Sequence, residues 1–225
     1  KDLDMVFLCN QNNPTGMLTD REFLFKLLRV CREMDIFLVV DECFQDFIRD
    51  PGQYSLKAQL PRYHNLFLLK AFTKRYAMAG VRLGYGITEN QELLEKMTQV
   101  TQPWNISIPA QAAGIAALGE VEYVEKARNL IFEESEYLSE ELYKLGMTVF
   151  PSQANYLFFK GPEDLFEICV GQNVLIRDCS NYPGLGRGFY RVAVRTHEEN
   201  ERLIQAIHDG LMEARKKAQE EEVEE

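Results

Sequence analysis

The 225-residue sequence predicts an α/β fold with a mainly parallel sheet, followed by a small α+β domain. Three observations carry this expectation. In the first hundred residues short apolar runs alternate with stretches of helical period, as a parallel sheet with crossover helices requires. A long, Glu-rich amphipathic segment follows, from Tyr123 to Leu145. After Gly146 the texture changes to short strands with few helices between them. Residues 1–119 are therefore assigned to the first domain, and residues 120–225, long helix included, to the second.

The elements follow in order. Val6–Cys9 reads as a strand and runs into Asn10-Gln11-Asn12-Asn13-Pro14-Thr15-Gly16. Thr19-Asp20 caps a helix whose apolar positions Phe23, Leu24, Leu27, Leu28 and Cys31 recur at helical spacing. Phe37–Val40 is a second strand, running into Asp41-Glu42, and Pro51-Gly52 marks a turn. Leu66–Leu69 is a third, buried strand; Lys74 lies just beyond it, before the small-residue stretch Gly80-Val81-Arg82-Leu83-Gly84-Tyr85. Gln91–Val100 is helical, Pro103-Trp104 breaks it, and Pro109–Leu118 restarts an Ala-rich helix. Gly146 stops the long helix. Strands are then expected at Thr148–Phe150, Tyr156–Lys160, Val174–Arg177 and Tyr190–Val194, with a helix over Pro162–Val170. A last helix begins after Thr196 and passes Leu211, and the charged tail from Arg215 to Glu225 reads as a solvated, fraying helix end. No internal repeat is visible.

Composition excludes several classes. Apolar residues make up 46% and charged residues 27% of the chain, which suits a soluble globular protein. A net charge of −10 argues against nucleic acid as a partner. No apolar stretch is long enough to span a membrane. Lys1-Asp2-Leu3-Asp4 leads straight into a strand, so no signal peptide is expected; with no initiator Met, the chain is expected to be a fragment or a processed form. The five cysteines form no CxxC pair and are odd in number, which points to reduced thiols and a cytoplasmic setting. His64, His197 and His208 have no metal-ligand spacing and read as surface or packing residues, so no metal is expected.

Three polar residues stand where open α/β sheets place their ligands, beyond the ends of successive strands. Lys74 is either an ordinary solvated lysine or an amine whose pKa is lowered by desolvation and by neighbouring charge, here from Arg75 and Arg82. Asp41 could be the Mg-holding carboxylate of a phosphate-loop NTPase, but the GxxxxGK[ST] loop that this requires is absent. The GxGxxG fingerprint is also missing, and Gly184, Gly186 and Gly188 do not replace it. Asn13, before Pro14-Thr15-Gly16, is either plain turn chemistry or an amide aimed at a cofactor. An amide, a carboxylate and an amine at neighbouring strand ends are the parts a pyridoxal 5′-phosphate (PLP) enzyme needs.

Taken in order, Asn13-Pro14-Thr15-Gly16, Asp41-Glu42, and Lys74 followed eight positions later by Arg82 resemble the fold-type I PLP enzymes. The resemblance is to the aminotransferase branch that contains the histidinol-phosphate aminotransferases. Six further runs resemble the threonine-phosphate decarboxylases of that branch. They are Asp41-Glu42-Cys43-Phe44-Gln45-Asp46-Phe47, Thr73-Lys74-Arg75-Tyr76-Ala77, Pro103-Trp104, Ala154-Asn155-Tyr156-Leu157, Asn181-Tyr182-Pro183-Gly184-Leu185 and Tyr190-Arg191-Val192-Ala193-Val194-Arg195. The similarity runs from Asp4 to about Leu211.

The resemblance implies roles. Lys74 would be the Schiff-base lysine and Asp41 the partner of the pyridinium nitrogen. Asn13 would contact the ring oxygen, with Phe44 and Thr73 beside the cofactor. Arg82 would hold the cofactor phosphate bidentately, which suits a guanidinium better than an ammonium. Arg191 would hold the substrate carboxylate. Arg177 and Arg195 are candidates for a substrate phosphate, or ordinary surface arginines, and Asn155 and Tyr182 would line the pocket. The implied reaction is decarboxylation of threonine phosphate to aminopropanol phosphate, in cobalamin biosynthesis, by a homodimer. Transamination of histidinol phosphate or a similar amino acid is the alternative, and an inactive truncated fragment is another.

Three departures accompany the resemblance. Phe44 stands where many of these aminotransferases have Tyr, though it suits the decarboxylase pattern. Ala71 stands three residues before the lysine where Ser or Thr is common, and Thr73 partly replaces that phosphate donor. The family's long N-terminal segment, with its stacking ring, phosphate-binding turn and much of the dimer interface, does not precede Asn13-Pro14-Thr15-Gly16 here. The chain is therefore expected to match the C-terminal part of the PLP-binding large domain plus the small domain, with an unpaired sheet edge that invites association.

Overall fold

The computed structural model of the chain describes residues 3–224, with side chains as far as residue 221, so Lys1, Asp2 and Glu225 of the expected domains lie outside the described residues. The chain divides into two compact units. One holds the residues up to Asn13 and Met17–Arg128; the other holds Pro14–Gly16 and the residues from Asn129 onward. The class is α/β, as expected.

The first unit is built on a four-stranded sheet of β1 (Met5–Cys9), β2 (Phe37–Asp41), β3 (Leu66–Ala71) and β4 (Gly84–Ile87), in that spatial order. β1, β2 and β3 are parallel, and β4 joins β3 antiparallel. Helix α1 (Arg21–Glu33) makes the crossover between β1 and β2. The Asp20 carboxylate caps it, accepting from the Glu22 amide at 3.1 Å. Its buried face of Leu24, Leu28 and Cys31 packs with Leu38 and Val40 of β2 and Leu66 and Leu68 of β3. Burying each such leucine contributes about 1.5–3 kcal/mol. β2 and β3 read as continuous apolar runs because interior parallel strands are covered on both faces. β1 is the exception: it lies at the sheet edge and leaves Met5 and Phe7 exposed, as is Leu3 just before it.

Two local expectations are corrected in this unit. Pro51-Gly52 does not make a turn but opens a one-turn helix, α2 (Pro51–Tyr54), since proline at the first helical position needs no amide hydrogen. The stretch before Tyr85 conceals β4, reached through the one-turn helix α3 (Phe72–Arg75) and a left-handed Arg82 at φ 58°. The expected helices appear as α4 (Gln91–Val100), capped by Asn90, and α5 (Ile108–Ala117), capped by Ser107.

Helix α6 (Val121–Lys144) begins in the first unit and continues into the second; Gly146, at φ +86°, follows its end. The second unit has an antiparallel sheet of β5 (Thr148–Phe150), β6 (Tyr156–Lys160), β7 (Arg177–Asp178) and β8 (Phe189–Ala193) in the order β5-β6-β8-β7. Leu157, Phe159, Tyr190 and Val192 are buried, as are Leu203, Ala206 and Ile207 of helix α8 (His197–Glu224). Helix α7 (Leu165–Gly171) starts three residues later than Pro162. The expected strand over Val174–Arg177 shrinks to β7. Asn173 turns the chain at φ 59°, and the Val174 amide is spent on the Cys169 carbonyl at 2.9 Å rather than on a ladder partner. The tail stays helical to Glu224.

Candidate active site

The first unit's site grows from the carboxyl ends of its three parallel strands. Cys9, Asp41 and Leu69 lie level in the register, where open α/β sheets bind their ligands. The Asn10 amide donates to the Asp41 carbonyl at 2.9 Å, and the Glu42 amide to the Leu69 carbonyl at 3.0 Å, so the ladder is tied to its end. Buried Asn10 accepts from the Thr19 amide at 2.9 Å, and the Asn12 amide donates to the Met17 carbonyl at 2.9 Å. These bonds hold the loop that carries Asn13. Gly16, assigned to the second unit, has φ +71°, and a Cβ there would lie 2.0 Å from the Ser152 hydroxyl, so no larger residue fits.

Asp41 closes β2. Its Oδ1 accepts from the Cys43 amide at 2.9 Å, and it forms no ion pair among the described residues. Burial, a hydrogen bond to Asp41 and the Asp41 charge push the Cys43 thiol up to about 12, with Cys9 adding to the rise and Lys70 opposing it. Burial and Asp41 raise the Cys9 thiol as well. Both sulfurs are therefore neutral at physiological pH.

Lys74 lies in α3, directly after β3, and is exposed. Its ammonium sits over the Phe44 ring, 5.5 Å from the centroid, and it has no carboxylate partner among the described residues. The neighbouring cations are already engaged. Arg75 pairs with Asp46, Arg82 donates to the Ala79 carbonyl at 2.9 Å, and Lys70 pairs with wholly buried Glu42 at 2.9 Å. Thr73 is half-buried beside Lys74 in the same turn. A cavity of about 230 Å³ adjoins α3 and is lined by Lys70, Arg75, Tyr76 and Tyr85 among others.

The second unit carries the other candidates, two of them on its sheet. Arg177 and Arg191 are directly opposite on β7 and β8. Like charges so placed repel unless an anion or an aromatic face relieves them. Arg177 lies 5.7 Å from the Tyr182 ring centroid and donates to Asn181 at 3.1 Å; Arg191 lies 5.0 Å from the Tyr156 centroid. The Asn155 side-chain oxygen is buried with no hydrogen-bond partner. Arg195 is set apart from this row: it pairs with Glu199 at 2.5 Å, and Arg195 and Thr196 hold the Glu199 carboxyl down at about 2.

Comparison with known proteins follows this geometry. The pattern describing aminotransferase class I and II matches residues 1–207. The chain belongs to the class I and II aminotransferase family. The family's members are PLP-dependent aminotransferases or decarboxylases. Threonine-phosphate decarboxylase of Salmonella typhimurium is 36% identical over 214 residues, which cover 93% of this chain and 58% of that protein. Histidinol-phosphate aminotransferase of Anaeromyxobacter is 37% identical over 210 residues, covering 90% and 56%. Among solved structures, histidinol-phosphate aminotransferase from Clostridium acetobutylicum superposes with a TM-score of 0.86 at 33% identity, over 92% of this chain and 63% of that one. The chain thus spans less than two thirds of the length of each.

The first unit's residues fit the family's cofactor. An amine and a carboxylate, neither in an ion pair among the described residues, stand just past the end of β3 and at the end of β2, as a PLP site needs. Sequence reasoning missed the Lys70–Glu42 pair. Its signal was there: Leu66, Leu68 and Lys70 share one face of β3 by simple alternation, and a lysine on a buried face needs a carboxylate.

Proposed function

We propose that the chain serves PLP-dependent decarboxylation of a phosphorylated amino acid, threonine phosphate, to aminopropanol phosphate, a step of cobalamin biosynthesis. The observation that carries the reading is the uncompensated pair of charges at neighbouring strand ends, Lys74 over Phe44 and Asp41 at the close of β2. Lys74 is the residue that carries the cofactor covalently, and Asp41 keeps the pyridine nitrogen protonated. Asn13 donates to the ring oxygen, Thr73 and Arg82 receive the phosphate, and Phe44 supplies an apolar wall. When bound, the cofactor supplies an electron sink for the bond that breaks at the substrate's α-carbon. In the second unit Arg191 receives the substrate carboxylate and Arg177 the substrate phosphate, with Arg195, Asn155 and Tyr182 as further contacts. Loss of carbon dioxide leaves that carbon needing a proton, and the Lys74 ammonium would be the group placed to deliver it. The expected setting is a cytoplasmic homodimer. All five cysteines are free thiols, and among the described residues no helix is long and apolar enough to cross a membrane.

A second reading, transamination of histidinol phosphate, uses the same residues and is supported by the 33% identical structure from Clostridium acetobutylicum. One experiment separates the two. The PLP-loaded protein is given threonine phosphate, and in a parallel reaction histidinol phosphate with a 2-oxo acid. Release of carbon dioxide with aminopropanol phosphate supports the decarboxylase; amino transfer without carbon dioxide supports the aminotransferase. Turnover of neither supports a chain that is inactive by itself.

A further inference from the structure

Glu42 is wholly buried and follows Asp41 directly. Its carboxylate gathers three donors: the Lys70 ammonium at 2.9 Å, the Ser55 hydroxyl at 2.8 Å and the Leu56 amide at 3.0 Å. The Lys70 side chain is only 11% exposed. Asp41 pairs with Leu69 in the ladder, so Glu42 and Lys70 are the next residues along each strand. Successive strand residues point to opposite faces. Glu42 and Lys70 therefore continue the rows of Leu38, Val40, Leu66 and Leu68 above α1, while Asp41 belongs to the other face. One carboxylate thus ties together the end of β2, the end of β3 and the segment at Ser55–Leu56.

A buried ion pair is a poor source of stability, because desolvating two charges offsets their attraction; apolar residues of similar volume would often hold the strands as well. Its distinctive property is a fixed distance and direction. Asp41 is one residue from one member, and Lys74 is four residues from the other, through the tight turn of α3.

We propose that Glu42 and Lys70 are positioning residues: their buried ion pair clamps the ends of β2 and β3 and so sets where Asp41 and Lys74 stand relative to each other. The proposal rests on the reading of Asp41 and Lys74 as cofactor contacts and extends it to two residues to which that reading gives no cofactor contact. A loosened clamp lets the carboxylate and the amine drift. Small misplacements of reacting groups have large effects on what they hold.

The test compares wild type with the double variant Glu42→Gln/Lys70→Met, which removes the ionic tie without leaving a buried charge; the glutamine oxygen still accepts from the Leu56 amide, and its NH2 can donate to the Ser55 hydroxyl. Three quantities are measured on the protein titrated with PLP: thermal midpoint, cofactor affinity, and the pH midpoint of the bound cofactor's visible absorption. The expected result is a folded protein whose affinity falls by roughly tenfold to a hundredfold, with a displaced pH midpoint. The single variant Lys70→Arg, which keeps a cation beside Glu42, is expected to retain both. A folded double variant with wild-type affinity and pH midpoint overturns the proposal. If the double variant does not fold, Glu42→Gln alone decides on the same two readouts, and unchanged values again overturn it. Borohydride reduction and peptide mapping of the wild type separate the two layers. No pyridoxyl group on Lys74 defeats the cofactor reading itself, whereas a label on Lys74 with unchanged variants defeats only the clamp.

Discussion

The ammonium of Lys74 lies 5.5 Å from the centroid of the Phe44 ring, while Lys70, four residues earlier, is held by buried Glu42. Lys74 is exposed and in no ion pair among the described residues, so an electrophile can reach it in a way it cannot reach Lys70. Borohydride reduction in the presence of PLP should label Lys74 and leave Lys70 and Lys57 unlabelled. Lys74→Ala should abolish the label. A pyridoxyl group found on Lys70 refutes the assignment.

Asp41→Asn is expected to separate catalysis from folding. The asparagine oxygen can still accept from the Cys43 amide, but the charge at the strand end is gone. Turnover of the loaded enzyme should fall by about a hundredfold or more, with the thermal midpoint little changed. Wild-type turnover by this variant shows that Asp41 is a structural cap.

The Cys43 thiol offers a pH test. Burial, with Asp41 as the next cause, raises it to about 12, so it is protonated and slow to alkylate at pH 8–9, where an ordinary thiol reacts. Because the folded value lies above the unfolded one, the thiol favours the folded state below about pH 9, and that contribution is lost as pH rises from there toward 12. Asp41→Asn removes a charge that raises the thiol, so Cys43 should alkylate faster at a given pH. An iodoacetamide rate profile checks both statements, and a wild-type Cys43 that reacts as a free thiol at pH 8 contradicts them.

How much of this was legible beforehand depends on what each feature needs. Asp41 and Lys74 follow unbroken apolar runs, so their places at strand ends were visible from local pattern alone. β4 was not, because Gly84-Tyr85-Gly86 carries neither β-branched residues nor alternation; Gly86 lies against the Phe67 ring, and that packing is invisible without the neighbouring strand. The Glu42–Lys70 pair needed the parallel register of β2 and β3, which periodicity does not give. The opposition of Arg177 and Arg191 likewise follows from the antiparallel ladder, although both residues had been singled out by family resemblance. Arg195 joins them through the family resemblance alone, and its Glu199 partner follows only from the start of α8.

The opposed arginines should be separable by kinetics. Arg191→Lys keeps the charge and loses the planar fork, which is not a conservative change at a bidentate site. It should weaken substrate binding by about 1.5–3 kcal/mol, seen as a raised KM. Arg177→Gln should raise KM for phosphorylated substrates more than for the same amino acids without phosphate. Equal effects on both substrate classes count against a phosphate role for Arg177.

Leu68 is fully buried in the cluster that joins α1 to β2 and β3. Leu68→Ala leaves a cavity there and should cost about 2–5 kcal/mol, measured by urea unfolding of the whole chain. A loss below about 1 kcal/mol would mean that the site collapses freely around the smaller side chain.

Gly16 and Ser152 also bind each other's evolutionary future. A methyl at position 16 would meet the Ser152 hydroxyl at 2.0 Å, while that hydroxyl donates to the Tyr156 carbonyl at 2.7 Å and accepts from the Ala154 amide at 3.2 Å. Neither position can change first without loss: a side chain at 16 collides, and removing the serine strips the loop before β6 of two bonds. Even with the serine gone, the positive φ at 16 still disfavours any side chain there, so a double substitution should recover only the part of the loss that comes from the collision.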